Sequence, residues 1–179
     1  MAKLSEEQKT VRAAQNGDAE SFGVLYVRHY AAMVWLAYSI LLDRDAAEDA
    51  AQQTFVKACE KLAGLRRTDR FGPWLARICR NEAIQSLRNR KRQTSIMPDE
   101  PRQVETSVSD RENHDSVKLA VDRLAPMYRE VVVLRYYNRM DYRQIAAMLG
   151  IAEHTVRGRL FRARRRIEQT LRSNGFPKG

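Results

Sequence analysis

Apolar residues of this chain recur at steps of three and four positions, the spacing that puts side chains on one face of an α-helix. One stripe runs from Phe22 to Leu41, and another takes in Val156, Leu160, Ala163 and Ile167. No segment alternates apolar and polar residues as a half-buried β-strand does, and only 8 Gly and 5 Pro interrupt the pattern. The spacing therefore predicts an all-α protein.

Charge is distributed unevenly along the chain, which carries a net +10 with 25 Arg against 7 Lys. Residues 63–92 sum to +7 and residues 117–179 to +9, whereas residues 93–116 between them sum to -4. The acidic stretch also holds two prolines and several serines and threonines, a composition typical of linkers. We predict two small helical domains, at residues 1–92 and 115–174, joined by a flexible acidic linker at 93–114.

This basic balance indicates a polyanionic partner, since Lys and Arg attract phosphates and release their counterions. Arginine favours nucleic acid because its flat guanidinium fits phosphate oxygens and guanine edges, although a solvated basic surface is the alternative. The longest apolar run, residues 31–42, is too short to span a bilayer, and the N-terminus lacks the layout of a signal peptide. We expect a cytoplasmic protein without membrane insertion.

Four helices are predicted in the first domain. Ser5 and Gln8 can cap a short first helix that Asn16 and Gly17 end, and Asp18 can open the long second helix. A third helix over residues 45–62 has an apolar and a polar side. Its inward residues are Ala51, Phe55, Cys59 and Leu62, and its outward residues are Glu48, Asp49, Gln52, Gln53 and Lys57.

A basic loop over residues 64–72 leads to the fourth helix, which Pro73 can begin because its missing N–H is not needed in the first turn. The loop holds Arg66, Arg67, Arg70 and Phe71. The polar side of the helix presents Arg77, Arg80, Asn81, Gln85 and Arg88. Basic residues on a helix beside a basic loop favour a phosphate-binding track, with a solvated face as the alternative.

The strongest local pattern lies in the second domain, at residues 141–166. Asp141, with Gln144 three positions later, has the spacing of a capping box for a helix over residues 142–149. Gly150 can take the left-handed conformation that reverses the chain, and a second helix over residues 153–171 follows. This is the layout of a helix–turn–helix.

The side of that second helix opposite the apolar stripe suits a DNA major groove, where N-terminal residues reach base edges and flanking arginines hold phosphates. The candidate contacts are His154, Thr155, Arg157, Gly158, Arg159, Phe161, Arg162 and Arg165. Phe161 can meet a thymine methyl group, pack on another helix, or make a simple hydrophobic contact within its own domain. Ala152 leaves the helix without a side-chain cap and Gly158 lowers its helix propensity. We predict that Gly158 lets the backbone approach phosphates closely.

Both halves of the chain resemble the extracytoplasmic-function (group IV) sigma factors of the sigma-70 family, in that family's domain order. The segment AAEDAAQQTF is similar to the family's core-polymerase-binding helix, and RFGPWLARICRNEAIQSLRNRKR is similar to the helix after the -10-reading loop. The segment LAPMYREVVVLRYYNRMDYRQIAAMLGIAEHTVRGRLFRARRRI resembles the -35-reading module. The resemblance therefore extends to both predicted domains.

The resemblance implies a protein that binds core RNA polymerase and promoter DNA at the nucleoid and promotes strand opening. Contacts to the clamp helices of the largest subunit would come from Glu48, Asp49, Gln52 and Gln53, although the family more often has an acid at the position of Gln53. The loop at residues 65–71 would hold a flipped -10 base. Beside it on the non-template strand would lie Arg77, Arg80, Asn81 and Arg88. The second domain would read the -35 element and contact the polymerase flap, and an anti-sigma factor would cover these surfaces.

Two other functions account for part of the sequence. A stand-alone helix–turn–helix regulator explains the second domain but gives the first domain no role. A DNA-processing enzyme needs clustered acids for metal ions, or a nucleophile with an activating base. The acids from Asp43 to Asp49 instead surround one helix start, which favours a capped N-terminus.

The two cysteines, Cys59 and Cys79, occupy apolar-face positions on two predicted helices. No other cysteine or histidine lies at metal-site spacing from them, so we expect buried, inert thiols. We expect no metal, no cofactor and no enzymatic activity.

Overall fold

Helices make up most of the computed structural model of this chain, which describes residues 4–96 and 112–173. The helices are α1 (Glu6–Gln15), α2 (Ala19–Leu41), α3 (Arg44–Lys61), α4 (Phe71–Ile96), α5 (Glu112–Asp122), α6 (Pro126–Tyr136), α7 (Tyr142–Leu149) and α8 (Glu153–Ser173). Two 3-10 turns, Leu62–Gly64 and Thr68–Arg70, lie between α3 and α4. No strand occurs in the two described ranges, and the all-α prediction is confirmed.

The chain divides into two compact units between Asn89 and Arg90. Helix α4 continues past this point to Ile96, so residues 93–96 of the predicted linker are helical, and α5 begins at Glu112. The rest of that linker, residues 97–111, lies outside the described residues. The linker's flexibility therefore stays a prediction.

Side-chain caps begin the first three helices. Ser5 and Gln8 form the predicted capping box: Ser5 Oγ accepts from Gln8 N at 3.2 Å, and Gln8 Oε1 accepts from Ser5 N at 2.7 Å. Asp18 caps α2, and Asp43 Oδ1 caps α3 by accepting from Ala46 N at 2.9 Å. Asp43 thus satisfies a backbone N–H that the first turn of α3 would otherwise leave without a partner.

Helix α2 is the central helix of the first unit. Its buried side chains include Leu25, Met33 and Leu36, and it packs against α1 and α3. Phe55 of α3 lies against Tyr26 with ring centroids 4.7 Å apart. By length and composition alone α2 is a candidate for crossing a membrane, but its buried stripe has the role of a core helix in this unit.

The two cysteines have different environments. Cys79 of α4 is fully buried, its Sγ donates to Met33 O at 3.3 Å, and burial raises its pKa to about 12. Cys59 of α3 is exposed, so the expectation of a buried thiol there is wrong. The inward stripe of α3 uses Ala58 instead, three residues after Phe55 and four before Leu62, which is the regular helical step.

The second unit packs α6 and α7 against α8. Its core includes Val131, Leu134, Ile145, Val156 and Leu160, all buried. The predicted apolar stripe of α8 is therefore at the centre of this unit.

A buried arginine joins two helices of this unit. Arg129 of α6 is 3% exposed, and its Nη1 donates to the backbone oxygen of Asp122 at 2.7 Å. A cation placed on a carbonyl at the C-terminal end of α5 also interacts favourably with the helix dipole. This contact joins the end of α5 to α6, and no spacing in the sequence predicts it.

Candidate nucleic-acid interface

The turn before α8 has the predicted geometry. Asp141 Oδ1 accepts from Gln144 N at 2.7 Å, and Gln144 Oε1 accepts from Asp141 N at 2.8 Å. Gly150 ends α7 in the left-handed conformation with φ 67°. Thr155 N then donates to the backbone oxygen of Ala152 at 2.9 Å, starting α8 without a side-chain cap. The helix–turn–helix prediction is confirmed.

Helix α8 has one buried and one exposed side. Val156, Leu160 and Ala163 are buried as predicted, and Ile167 is half-buried. Of the candidate DNA contacts, His154, Arg157, Phe161, Arg162 and Arg165 are exposed, and Thr155, Gly158 and Arg159 are half-buried. The candidate face is thus accessible along the first four turns of the helix.

Two candidates on this face have specific surroundings. A Cβ atom added at Gly158 would meet no atom within 4 Å, so the backbone there borders open space. Phe161 is 61% exposed, so most of its ring is accessible to a partner. The guanidinium carbon of Arg165 lies 6.0 Å from the Phe161 ring centroid, within the range of a cation–π contact.

Two tyrosines of α6 contact arginines of α8, and neither contact is predicted from the sequence. Arg164 donates to Tyr136 Oη from Nε at 2.9 Å and from Nη2 at 2.5 Å, and this hydrogen bonding raises the pKa of Arg164. The guanidinium carbon of Arg166 lies 4.9 Å from the centroid of the Tyr128 ring. These contacts orient two guanidinium groups on the flank of α8. Tyr136 and Arg164 are 28 residues apart, and helical spacing predicts contacts only between residues three or four positions apart.

The arginine loop, residues 62–70, consists of the two 3-10 turns and an extended stretch around Leu65 and Arg67. Arg66 is exposed. Asp69 Oδ2 lies 2.7 Å from Arg67 Nη2 and 3.7 Å from Arg70 Nε. Hydrogen bonding between Arg67 and Asp69 lowers the pKa of Asp69 and raises the pKa of Arg67. Asp69 therefore offsets part of the positive charge that the three arginines bring to the loop.

Phe71, predicted to contact DNA together with the loop arginines, is only 1% exposed. Its ring centroid lies 5.3 Å from that of His29 and 5.8 Å from that of Trp74. A ring enclosed in this way has no surface left for a base, so the prediction for Phe71 is wrong. Its burial instead anchors the start of α4, two residues before the predicted start at Pro73.

Helix α4 divides into the predicted buried and polar sides. Leu75, Cys79 and Ala83 are buried. On the other side Arg77, Asn81, Gln85 and Arg88 are exposed and Arg80 is half-buried. Together with the arginine loop this side forms a basic surface of the first unit.

The polar side of α3 is mostly accessible. Asp49, Gln52 and Gln53 are exposed, whereas Glu48 is half-buried and accepts from Arg44 Nε at 3.0 Å. Lys57, predicted to point outward, is half-buried, and its Nζ lies 2.6 Å from Glu82 Oε2 of α4. Val56, which was not among the predicted outward residues, is 52% exposed and lies three residues after Gln53. The α3 surface therefore has an apolar member.

These exposed groups are suited to noncovalent binding. Guanidinium groups on α4, the arginine loop and α8 fit phosphate oxygens and base edges. The carboxylates and amides of α3 fit a basic or polar protein surface. Within residues 4–96 and 112–173, no group of three or more His, Cys, Asp or Glu side chains is placed to hold a metal ion.

Two protein-family descriptions match the chain. Residues 25–93 match sigma-70 region 2, and residues 114–167 match sigma-70 region 4. The first match takes in α3, the arginine loop and most of α4, and the second takes in the helix–turn–helix.

Two curated relatives are similar to the chain over almost their full length. The chain is 34% identical over 180 residues to the ECF RNA polymerase sigma factor SigL of Mycobacterium tuberculosis, covering 94% of this chain and 98% of the relative. It is 27% identical to the RNA polymerase sigma-H factor of Pseudomonas aeruginosa, with 96% of each chain covered.

Two solved structures are also similar to the chain over most of its length. The chain is 26% identical to CnrH, solved in complex with the cytosolic domain of CnrY, with a TM-score of 0.70 over 96% of this chain and 100% of that one. It is also 26% identical to the sigma factor RpoE of Bartonella quintana, solved with the anti-sigma factor NepR, with a TM-score of 0.72 over 86% of this chain and 98% of that one.

Proposed function

Because the chain belongs to the RNA polymerase sigma factors of the sigma-70 type, we propose how its surfaces divide the work of transcription initiation. A sigma factor brings core polymerase to promoters and acts in the cytoplasm. We place this one in the group IV subclass, since ECF sigma factors are among its full-length relatives. It acts at the nucleoid by binding alone, without catalysis of its own.

Helix α8 reads the -35 element. Its exposed Arg162 and Arg165 donate to guanine edges, and Phe161 meets thymine methyl groups. His154, Thr155 and Gly158 line the approach to the DNA, and Arg157 and Arg159 hold phosphates. The second unit also contacts the polymerase flap.

The arginine loop and α4 hold the opened -10 element. Arg66, Arg67 and Arg70 face the non-template strand, continued along α4 by Arg77, Arg80, Asn81 and Arg88. Extruding a base costs a few kcal/mol, which contacts in a protein pocket can offset. Phe71 supports this site from the core and does not contact a base.

The α3 surface binds the clamp helices of the largest polymerase subunit through Glu48, Asp49, Gln52 and Gln53. An uncharged amide at Gln53, where the family more often has an acid, weakens this contact and tunes competition with other sigma factors. Gln53→Glu should therefore raise the affinity for core about threefold in competition with the parent chain. Gln169→Glu, at an exposed glutamine of α8, is the control and should leave core affinity unchanged.

An anti-sigma factor regulates the chain. The proposal follows from the relative RpoE, which was solved with the anti-sigma factor NepR. Exposed Val117, Met127 and Tyr137 give the second unit apolar surface that such a partner can cover. A partner found by two-hybrid screening in the source organism should prevent assembly of the chain with core. A partner that leaves assembly intact would contradict this regulation.

The observation that carries the proposal is the exposed guanidinium face of α8 directly after a capped helix–turn–helix. Gel shifts of a promoter duplex with the chain alone, core alone and both together test it. Only the combination should shift the duplex specifically. A stand-alone regulator, in contrast, would shift the duplex without core.

Arginine variants sharpen the same test. Arg162→Ala should weaken binding by the reconstituted holoenzyme about tenfold and relax the preference at one -35 base pair, as expected for a base contact. Arg172→Ala is the control, since Arg172 lies in the last turn of the same helix and pairs with Glu168. A duplex shifted equally well without core would contradict the assignment.

A further inference from the structure

Both ends of the arginine loop are fixed in the core of the first unit. Leu62 is 3% exposed and Phe71 is 1% exposed, whereas Arg66 and Arg67 between them are exposed. Backbone hydrogen bonds close the two 3-10 turns: Leu65 N donates to Leu62 O at 3.0 Å, Arg70 N donates to Arg67 O at 2.9 Å, and Phe71 N donates to Thr68 O. These bonds close the 3-10 turns from within, and support that ties the loop to the rest of the unit has to come from outside it.

A side chain from the first helix supplies that support. Gln15, the last residue of α1, donates from Nε2 to Leu62 O at 2.9 Å and to Leu65 O at 2.8 Å. The amide group thus bridges the carbonyl of Leu62, the first residue of the first 3-10 turn, and that of Leu65, which follows the turn and directly precedes Arg66. A neutral amide suits this place, because a carboxylate would set negative charge against two carbonyl oxygens.

The opposite end of α1 is also tied to the loop region. Glu7 Oε1 lies 2.7 Å from His29 Nε2, and His29 in turn packs against Phe71, where the loop enters α4. Helix α1 therefore contacts the loop directly at the loop's beginning, through Gln15. Near the loop's end it contacts His29 of α2, which packs against Phe71.

We propose that Gln15 is a positioning residue for -10 recognition: it holds the arginine loop in the conformation that receives the opened strand. The inference rests on the proposed function of the loop. A loop ordered before binding loses less conformational entropy on binding, and a pocket for a single base requires side chains held in place. Gln15 acts through the backbone of Leu62 and Leu65 and does not contact the DNA.

The test uses full-length holoenzyme and a fluorescent single-stranded oligonucleotide that carries the non-template -10 sequence of a promoter mapped by run-off transcription. Gln15→Met keeps the length and helix propensity of the side chain but removes both donors. It should weaken oligonucleotide binding about tenfold and reduce discrimination against an oligonucleotide with one -10 base replaced. Gln15→Glu should have a larger effect. Affinity for core and binding of a duplex carrying only the -35 element should not change.

Thr10→Ala is the matched control. It removes a side-chain hydrogen bond of the same helix, from Thr10 Oγ1 to Glu6 O at 2.9 Å, that does not reach the loop. It should bind the oligonucleotide as the parent does. Hydrogen exchange of the free chain should show faster exchange in Gln15→Met at residues 65–70 and parental exchange elsewhere.

Arg66→Ala distinguishes the role of Gln15 from the proposed role of the arginine loop. If Arg66→Ala weakens oligonucleotide binding and Gln15→Met does not, the inference about Gln15 is wrong and the proposed role of the loop stands. If neither variant weakens it, both are wrong. If Gln15→Met raises exchange throughout α1 to α4, its effect is general destabilisation and the positioning role is refuted.

Discussion

Replacing Gly158 by alanine should change stability and DNA binding in opposite directions. Gly158 is the sixth residue of α8, and an added Cβ there meets no atom within 4 Å. The methyl group therefore costs no repacking, and the variant gains the helix propensity of alanine over glycine, about 1 kcal/mol. For a helical unit of this size the gain corresponds to a rise in melting temperature of roughly 4 to 8 °C.

The effect on binding follows from the same open space. If the backbone at Gly158 lies against a phosphate in the complex, as we predict, the methyl group must displace the DNA from the first turns of α8. A loss of tenfold in affinity for a -35 duplex corresponds to about 1.4 kcal/mol. We expect at least that loss, although the free protein has become more stable.

The chain contains a matched control for this experiment. Gly23 lies inside α2, and a Cβ there also meets nothing within 4 Å. Gly23→Ala should stabilise the first unit by a similar amount and leave -35 binding unchanged. Scanning calorimetry gives the melting temperatures, and fluorescence anisotropy with holoenzyme gives the affinities. Parental affinity of Gly158→Ala with raised stability would refute the close approach to the phosphate.

Other predictions concern stability and thiol chemistry. Arg129→Met should destabilise the second unit by about 2 kcal/mol in urea denaturation, because the half-buried carbonyl of Asp122 loses a charged hydrogen-bond donor; unchanged stability would contradict this. Arg139→Gly should stabilise the same unit by about 1 kcal/mol, since Arg139 has φ 54° in the left-handed region, and a lower melting temperature would contradict this. A thiol reagent should label Cys59 in the native chain and Cys79 only after unfolding. Because burial raises the pKa of Cys79 to about 12, the folded state holds its proton more tightly, and stability should fall between about pH 9 and 12 by more than in Cys79→Ala.

Much of the fold follows from local rules that the sequence displays directly. The capping boxes at Ser5 and Asp141 and the left-handed Gly150 involve residues at most four positions apart, and each forms as predicted. The apolar stripe of α8 likewise depends only on helical period. In such places local preference and tertiary packing agree.

The errors and omissions arise where packing between distant segments decides the outcome. Phe71 lies in a basic loop by sequence, yet the core beside His29 buries it. Cys59 is exposed, whereas its neighbour Ala58 is buried. Helical spacing alone does not determine which of two adjacent residues lies on the buried side. The bonds from Gln15 to the arginine loop span 47 and 50 residues, and no pattern in a single sequence reports such a pair.

Run-off transcription from a genomic library with purified core polymerase tests the central claim most directly. The chain should make core start at discrete positions, each preceded by two sequence blocks at a constant spacing. Arg162→Ala should change which start positions are used, because it alters recognition of the upstream block. Arg66→Ala should reduce the number of starts, because it weakens binding of the downstream block. Core that starts at the same positions with and without the chain would contradict the account.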